Sequence, residues 1–361
     1  MQIGIVGLPL AGKSTLFQTV TRAYLEASPR PPGGTQHAVM RVPDPRLEAL
    51  ARVFSPRRTT HATVEFVDVA GLQRGEGGRT VFTQDFLRNV KTTDALVQVV
   101  RCFEEAAVPR PEGPADEARY LGLFETEFLL HDLALVEARQ ERIRKQLQKS
   151  PDDIQRRELP VLEKCREMLE REIPLRAGTF TPEEVRILRT YQLLSRKPML
   201  IALNLDESQS AETGERERRI SARAGGENTI VVSFFGKLEL EMAELSEEEA
   251  RLFMADFGIA QSALATMLQA SYGLLGLHSF FTVGEDECRA WTIPRGATAQ
   301  EAAGAIHSDI AARFIRAEVV SWENFMAAGC SYPRVKEAGQ WRLEGKEYVV
   351  QNGDVISIRH G

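Results

Sequence analysis

The sequence predicts an α/β protein: a mostly parallel sheet flanked by helices, interrupted by a helical hairpin and followed by a smaller α+β module. Three observations carry this. Short apolar runs at residues 2–6, 63–69, 95–100, 199–204 and 229–233 alternate with helical or irregular stretches, the pattern of buried parallel strands. Leu129, Leu133, Val136, Ile143 and Leu147 fall at spacings of four and three, with Gln140 in the missing seam position. From residue 278 onward the pattern changes to short β-like runs at 280–283, 288–293, 347–350 and 355–358 around one helix at 299–314.

Taken in order, the first run closes at Gly7, a Gly- and Pro-containing turn follows, and residues 14–22 read as a helix. The heptad-like helix is expected over residues 125–148. Ser150-Pro151-Asp152-Asp153 supplies a turn, and a second seam of Leu159, Leu162, Cys165, Leu169 and Ile173 packs back on the first, with Pro160 near the helix start or at a kink. Eleven basic and ten acidic residues over 131–176 suit a solvated arm better than a nucleic-acid groove.

Composition narrows the class. A 361-residue chain with 43% hydrophobic and 27% charged residues has the makeup of a globular protein of two or three units, not of a fibrous or disordered one. Its net charge of −6 gives no global pull toward polyanions, so any nucleic-acid contact needs a local basic face. Four scattered cysteines without a CxxC pair fit a reducing compartment rather than a zinc knuckle or disulfide framework. No apolar run approaches the roughly 18 residues that span a bilayer, and the start enters a strand pattern at once, so a cytoplasmic protein beginning near Met1 is expected.

The strongest chemical signal is Gly7-Leu8-Pro9-Leu10-Ala11-Gly12-Lys13-Ser14-Thr15, which satisfies G-x-x-x-x-G-K-[ST] between a strand and a helix. In that setting backbone N–H groups and the helix dipole converge on an anion, Lys13 adds a charge for β- and γ-phosphates, and the Ser14 hydroxyl can ligate Mg²⁺. A second element, Asp68-Val69-Ala70-Gly71, places a carboxylate at a strand end where it can hold Mg²⁺ through water, and a glycine whose N–H can meet a γ-phosphate. The next residue is Leu72, whose aliphatic side chain cannot orient a water as a glutamine would. After the run at 199–204 comes Asn204-Leu205-Asp206-Glu207, where guanine-specific proteins carry N-K-x-D; a displaced, longer carboxylate erodes guanine preference.

This combination resembles the YchF family, the Obg-like ATPases of the Obg branch of translation-factor GTPases. The likeness runs nearly end to end, through Gly4-Ile5-Val6-Gly7-Leu8-Pro9, Glu65-Phe66-Val67-Asp68-Val69-Ala70-Gly71-Leu72, Val99-Val100-Arg101-Cys102-Phe103-Glu104, Asn204-Leu205-Asp206-Glu207, Arg289-Ala290-Trp291-Thr292-Ile293 and the stretch from Ala302 to Ile356. It implies a P-loop G domain at 1–124 and 195–277, a coiled-coil arm at 125–194 and a β-grasp TGS domain at 278–361. It also implies ATP preferred over GTP, Mg²⁺, and a monomer that associates with ribosomes or RNA through arm and TGS domain, with neither DNA nor membrane as partner. By matching positions Gly7, Leu10, Ala11, Gly12, Lys13, Ser14 and Thr15 take the phosphates, Asn204, Leu205 and Glu207 face the base, and Phe235 and Gly236 belong to a second base-facing loop.

The departures fall on the switch regions. Counting back from Val42-Pro43-Asp44 puts Pro32 where the family carries a Mg²⁺-binding Thr, leaving Thr35 as a nearby substitute. The family's run after the second switch is replaced by Arg74-Gly75-Glu76-Gly77-Gly78-Arg79, and a family histidine proposed for hydrolysis aligns with Arg110, which could act as an arginine finger or be a solvated loop residue. Two functions stay open: a slow ATPase, or a nucleotide-gated interaction protein with little hydrolysis. A metabolite kinase leaves the D-x-x-G element unexplained. Six scattered histidines lack metal-ligand spacing, Cys102 is either a redox-sensitive thiol or a small core residue, and nine basic against eleven acidic residues in 278–361 demand an uneven face for RNA.

Overall fold

Aliphatic and β-branched runs become strands here because burial on both faces of a helix-covered sheet rewards them. In chain order the strands are β1 (Gln2–Gly7), β2 (Leu25–Ala27), β3 (Gln36–Arg41), β4 (Arg58–Thr60), β5 (Thr63–Asp68), β6 (Leu72–Arg74), β7 (Thr80–Phe82), β8 (Ala95–Arg101), β9 (Met199–Asn204), β10 (Thr229–Phe234), β11 (Leu277–Thr282), β12 (Glu287–Pro294), β13 (Phe314–Ser321), β14 (Arg342–Glu344) and β15 (Asp354–His360). The computed structural model describes residues 1–27, 36–69, 72–74, 80–104, 117–224, 226, 228–256 and 262–361. They form two compact units, Met1–Ala38 with Glu65–Met267, and Val39–Val64 with Leu268–Gly361.

In the first unit a seven-stranded sheet runs β10-β9-β8-β1-β5-β3-β2, and β10, β9, β8, β1 and β5 pair in parallel. All seven residues of β8 and all six of β9 are buried, which explains their mostly apolar pattern. The chain leaves β1 toward β5 on one side, and β8 flanks it on the other. Such a switch point opens a crevice at the carboxyl ends of the strands, where ligands of α/β proteins sit. Beneath it Val6, Val67, Leu96, Val100 and Leu203 pack on Phe86, Phe124 and Phe128. Phe82 meets Phe124 edge to face at 5.1 Å.

The arm is the helix pair Glu117–Leu147 and Asp153–Glu170. Leu129, Val136 and Ile143 pack against Val161, Leu162, Cys165 and Leu169, the expected seam. The first helix starts at Glu117 rather than near residue 125, because Tyr120, Phe124 and Phe128 continue the stripe onto the sheet core. Pro160 lies inside the second helix, whose start is capped by the Asp152 carboxylate accepting from the N–H groups of Ile154 and Gln155. Asp132, 0% exposed, roots the arm by accepting from Leu194 N–H at 2.9 Å and from the Ser195 N–H and hydroxyl at 2.7 Å each.

The second unit is a six-stranded sheet in the order β14-β13-β15-β11-β12-β4. Residues 39–64, which the sequence groups with the first domain, fold here: β4 lies parallel beside β12, and the Trp322 indole donates to the Arg46 carbonyl at 3.1 Å. The single helix expected at 299–314 is two, Ala299–Ile306 and Ser308–Ala312. They are broken at His307, which is extended (φ −162°, ψ 142°) and accepts the Asp309 N–H on its ring. Phe314 already begins β13, a strand obscured in the sequence by Arg316 and Glu318 on its outer face. Residues 347–350 make only one bridge, Val349 to Thr298, because the Asp354 carboxylate accepts from Gln351 N–H and Tyr348 hydroxyl and pins the segment as a loop.

Replacing Asp132 with Ala leaves two buried backbone amides and a buried hydroxyl without an acceptor. Asp132→Ala is expected to cost about 3 kcal/mol, read as a lowered urea midpoint at unchanged slope.

Candidate functional site

The loop between β1 and the helix Lys13–Tyr24 is shaped by two glycines that admit no side chain. A Cβ on Gly7 would sit 2.5 Å from the Val99 carbonyl oxygen, and one on Gly12, at φ +99°, would sit 2.3 Å from the Asn204 amide nitrogen. Gly12 is also the helix N-cap, so no side-chain oxygen closes the helix, and its first turn carries no acid. Those first amides need an acceptor from outside the helix, and the dipole favours an anion there. The Lys13 ammonium donates to the Leu8 carbonyl at 2.9 Å, which holds it over the loop. Burial pulls the Lys13 pKa down while Asp68, at the end of β5, pushes it back up; burial raises the Asp68 carboxyl and Lys13 counters that.

Asn204 ends β9 and ties the site together. Its amide nitrogen donates to the Ala11 carbonyl at 3.1 Å, and its amide oxygen accepts from Gly236 N–H at 3.2 Å. Its own carbonyl accepts from Cys102 N–H at 2.9 Å. Leu205, 3% exposed, follows into the core, while the Asp206 carboxylate turns back on the Ser208 N–H and hydroxyl and caps the short helix Glu207–Glu212. Glu207, the first residue of that helix, is not engaged by those contacts. The cleft here, about 760 Å³ and within the range of small-molecule sites, is lined by Leu10, Gly12, Lys13, Ser14, Thr15, Phe103, Glu104, Asn204, Leu205, Asp206, Glu207, Phe235, Gly236, Lys237 and Leu240.

Ten of the residues expected at the site line this one cleft: Leu10, Gly12, Lys13, Ser14, Thr15, Asn204, Leu205, Glu207, Phe235 and Gly236. Gly7 and the buried Ala11 stand behind the loop and set its path. Leu72, opposite Phe82 in the β6–β7 ribbon, packs onto the hydrophobic core. Thr35, Gly71 and Arg110 lie outside the described residues. Lys237 belongs to the segment 235–239 that the resemblance makes base-facing, whereas Phe103, Glu104, Asp206 and Leu240 are cleft residues beyond those expected. Of these, Phe103 and Glu104 come first in the chain. The signal for the first two is their place just beyond the end of β8, and for Leu240 its helical spacing from Gly236. Cys102 is a buried residue whose thiol is pushed up by burial and by Glu117, the inert core alternative.

One cleft residue is strained. Leu10 has φ 65° and is 45% exposed, and the left-handed region costs a branched side chain about 1–2 kcal/mol relative to a residue that tolerates it. Leu10→Asn, which substitutes a residue that tolerates the left-handed region, is expected to raise stability by about 1 kcal/mol in thermal or urea melts.

On the base-side helix Gly236–Met242, the buried Glu239 accepts from Ala263 N–H at 2.8 Å, and burial pushes its carboxyl up to about 7. A folded-state pKa above the free value means this group's contribution is full below pH ~4.5 and is lost as pH rises through about 7. Glu239→Gln is expected to flatten the stability profile between those limits by an amount on the order of 3 kcal/mol, measured by denaturation at a series of pH values.

Comparison with known proteins agrees with this geometry. A family model described as a 50S ribosome-binding GTPase matches residues 2–154, and the model of the YchF GTPase C-terminal family matches residues 277–361. "Ribosome-binding ATPase YchF" of Bacillus subtilis is 40% identical over 360 residues, covering 99% of this chain and 98% of the relative. The protein of that name from Haemophilus influenzae is also 40% identical over 360 residues, with 99% and 98% covered. The solved structure of the Schizosaccharomyces pombe YchF GTPase superposes with a TM-score of 0.87 at 29% identity, covering 99% of this chain and 97% of that one. The likeness runs along almost the whole length of the chain, and the chain belongs to the YchF family.

Proposed function

We propose that the chain is a Mg²⁺-dependent nucleoside triphosphatase that takes ATP in preference to GTP and acts in association with the ribosome. The observation that carries the nucleotide assignment is the uncapped helix start at Gly12, whose loop is fixed by Asn204 to the cleft wall that would face a base. Loop amides and the Lys13 ammonium hold the phosphates, and their fixed orientation means little reorganisation as charge shifts during transfer. On the base side, Asp206 is committed to Ser208, Leu205 stands where guanine-specific proteins have Lys, and Glu207 is one methylene longer than their Asp. That arrangement removes the paired acceptors guanine needs and supports adenine.

For the metal, Ser14 is exposed at the helix start and Asp68 faces Lys13; among the described residues no group of three His, Cys, Asp or Glu side chains could hold an ion unaided. This fits Mg²⁺, which binds through one or two protein oxygens shared with phosphates and, when bound, draws negative charge from the phosphate oxygens. Thr35 would complete that shell, Gly71 would offer its N–H to the γ-phosphate, and Arg110 would face the charge that develops in transfer.

Leu72 cannot hydrogen-bond a water and packs on the core, so turnover is slow without help from a partner. The same observation favours a second reading, a nucleotide-gated interaction protein with little hydrolysis. The relatives' names point to the ribosome, with the arm and the C-terminal unit as docking parts of a cytoplasmic monomer. Among the described residues no helix is long and apolar enough to cross a membrane.

Purified chain is expected to bind Mg-ATP more tightly than Mg-GTP by calorimetry, and Lys13→Ala is expected to abolish that binding. A reversed ranking overturns the base assignment. Single-turnover reaction at saturating Mg-ATP separates the two readings, with prompt ADP formation eliminating the second.

A further inference from the structure

Residues two apart along a strand share a face, so β8 presents Leu96, Gln98 and Val100 to the same side of its sheet. The two aliphatic residues pack into the core, whereas Gln98 breaks the row as a glutamine only 2% exposed. Its amide nitrogen donates to the Tyr120 carbonyl at 3.4 Å, which fixes the orientation of the amide because only that end can donate. The amide oxygen has no partner among the described residues. A buried acceptor left unpaired is costly, so a donor belongs beside it.

What lies beside it is a cavity of about 370 Å³ that shares no lining residue with the nucleotide cleft. Gln98 and its register partner Ile201 form the floor with Met199, which opens β9, whereas Asn204 of the nucleotide cleft ends that strand. Leu121, Leu129 and Leu133, at multiples of four along the helix Glu117–Leu147, supply an apolar wall. Gly122 stands on that wall inside a helix, where glycine is disfavoured, and a Cβ there would meet nothing within 4 Å. The space beside the wall is open. Among the charged lining residues, Arg176 and Glu125 are spent on each other, the arginine side chain being 1% exposed. Two more are exposed and carry no ion pair among the described residues: Glu172, just beyond the second arm helix, and Arg223, near the end of the helix Thr213–Ala224.

We propose that this cavity binds a free aromatic amino acid whose ring carries an O–H or N–H, as tyrosine and tryptophan do. Such a ring covers the leucine wall and Met199 and donates its ring proton to the Gln98 oxygen, while the α-ammonium and α-carboxylate meet the acid and the base at the rim. An aliphatic ligand leaves the buried acceptor unpaired, and a wholly polar one leaves the apolar wall uncovered. The volume falls within the range of small-molecule sites.

Titration calorimetry of the full chain with L-tyrosine, L-tryptophan and L-phenylalanine tests this. Tyrosine or tryptophan is expected to bind, and phenylalanine, which has the ring without the donor, to bind about tenfold more weakly. Gln98→Leu keeps the size of the side chain and is expected to remove that preference. Arg223→Ala, at an exposed position, is expected to weaken binding about threefold. Both variants keep their affinity for ATP as a check of folding, since neither residue lines the nucleotide cleft. Absence of binding by both tyrosine and tryptophan at millimolar concentration overturns the proposal, as does phenylalanine binding equally well or a preference that survives Gln98→Leu. The N-acetyl amide of tryptophan, which keeps the ring and loses both charges, is expected to bind more weakly than the free amino acid. Equal binding of that amide would assign the cavity to an aromatic side chain of a peptide and overturn the free amino acid as its ligand.

Discussion

The side-chain amide of Asn204 is the contact on which the nucleotide cleft depends. It reaches back 193 residues to the Ala11 carbonyl and forward 32 residues to the Gly236 amide. The loop after β1 and the start of the helix Gly236–Met242 are thereby held by one planar group, 5% exposed, whose donor and acceptor are both used. Burial makes the arrangement stiff, since neither hydrogen bond has water to replace it. It also explains Gly12, where the room for a Cβ is taken by the Asn204 amide itself.

Around that contact the molecule divides its labour between local and distant forces. The phosphate loop is a local solution: two glycines that cannot be replaced, an uncapped helix and a lysine tethered to a nearby carbonyl. The base side is assembled from the ends of β8, β9 and β10, whose parallel register delivers Phe103, Asn204 and Phe235 to one rim of the sheet. Leu72, by contrast, packs against the hydrophobic core.

Much of this was legible beforehand because the deciding residues are close in sequence. The five buried strands are legible to within one or two residues, since apolar side chains dominate β8 and β9, and the arm seam is readable from its three-four spacing. What escaped was decided by distant partners. His307 looks like a mid-helix residue until its ring is seen capping the next turn, and β13 hides because Arg316 and Glu318 face outward while Ala317 and Val319 face in. Residues 39–64 read as part of the nucleotide domain, and only the pairing of β4 with β12 assigns them elsewhere. In the site, Glu207 is expected from its motif position, whereas Phe103 and Glu104 reach the same cleft only because β8 ends beside β9.

The double duty of Asn204 also couples two parts of the cleft that come from opposite ends of the nucleotide domain. Replacing it would release the Ala11 carbonyl and the Gly236 amide together, so a single substitution would slacken both walls at once.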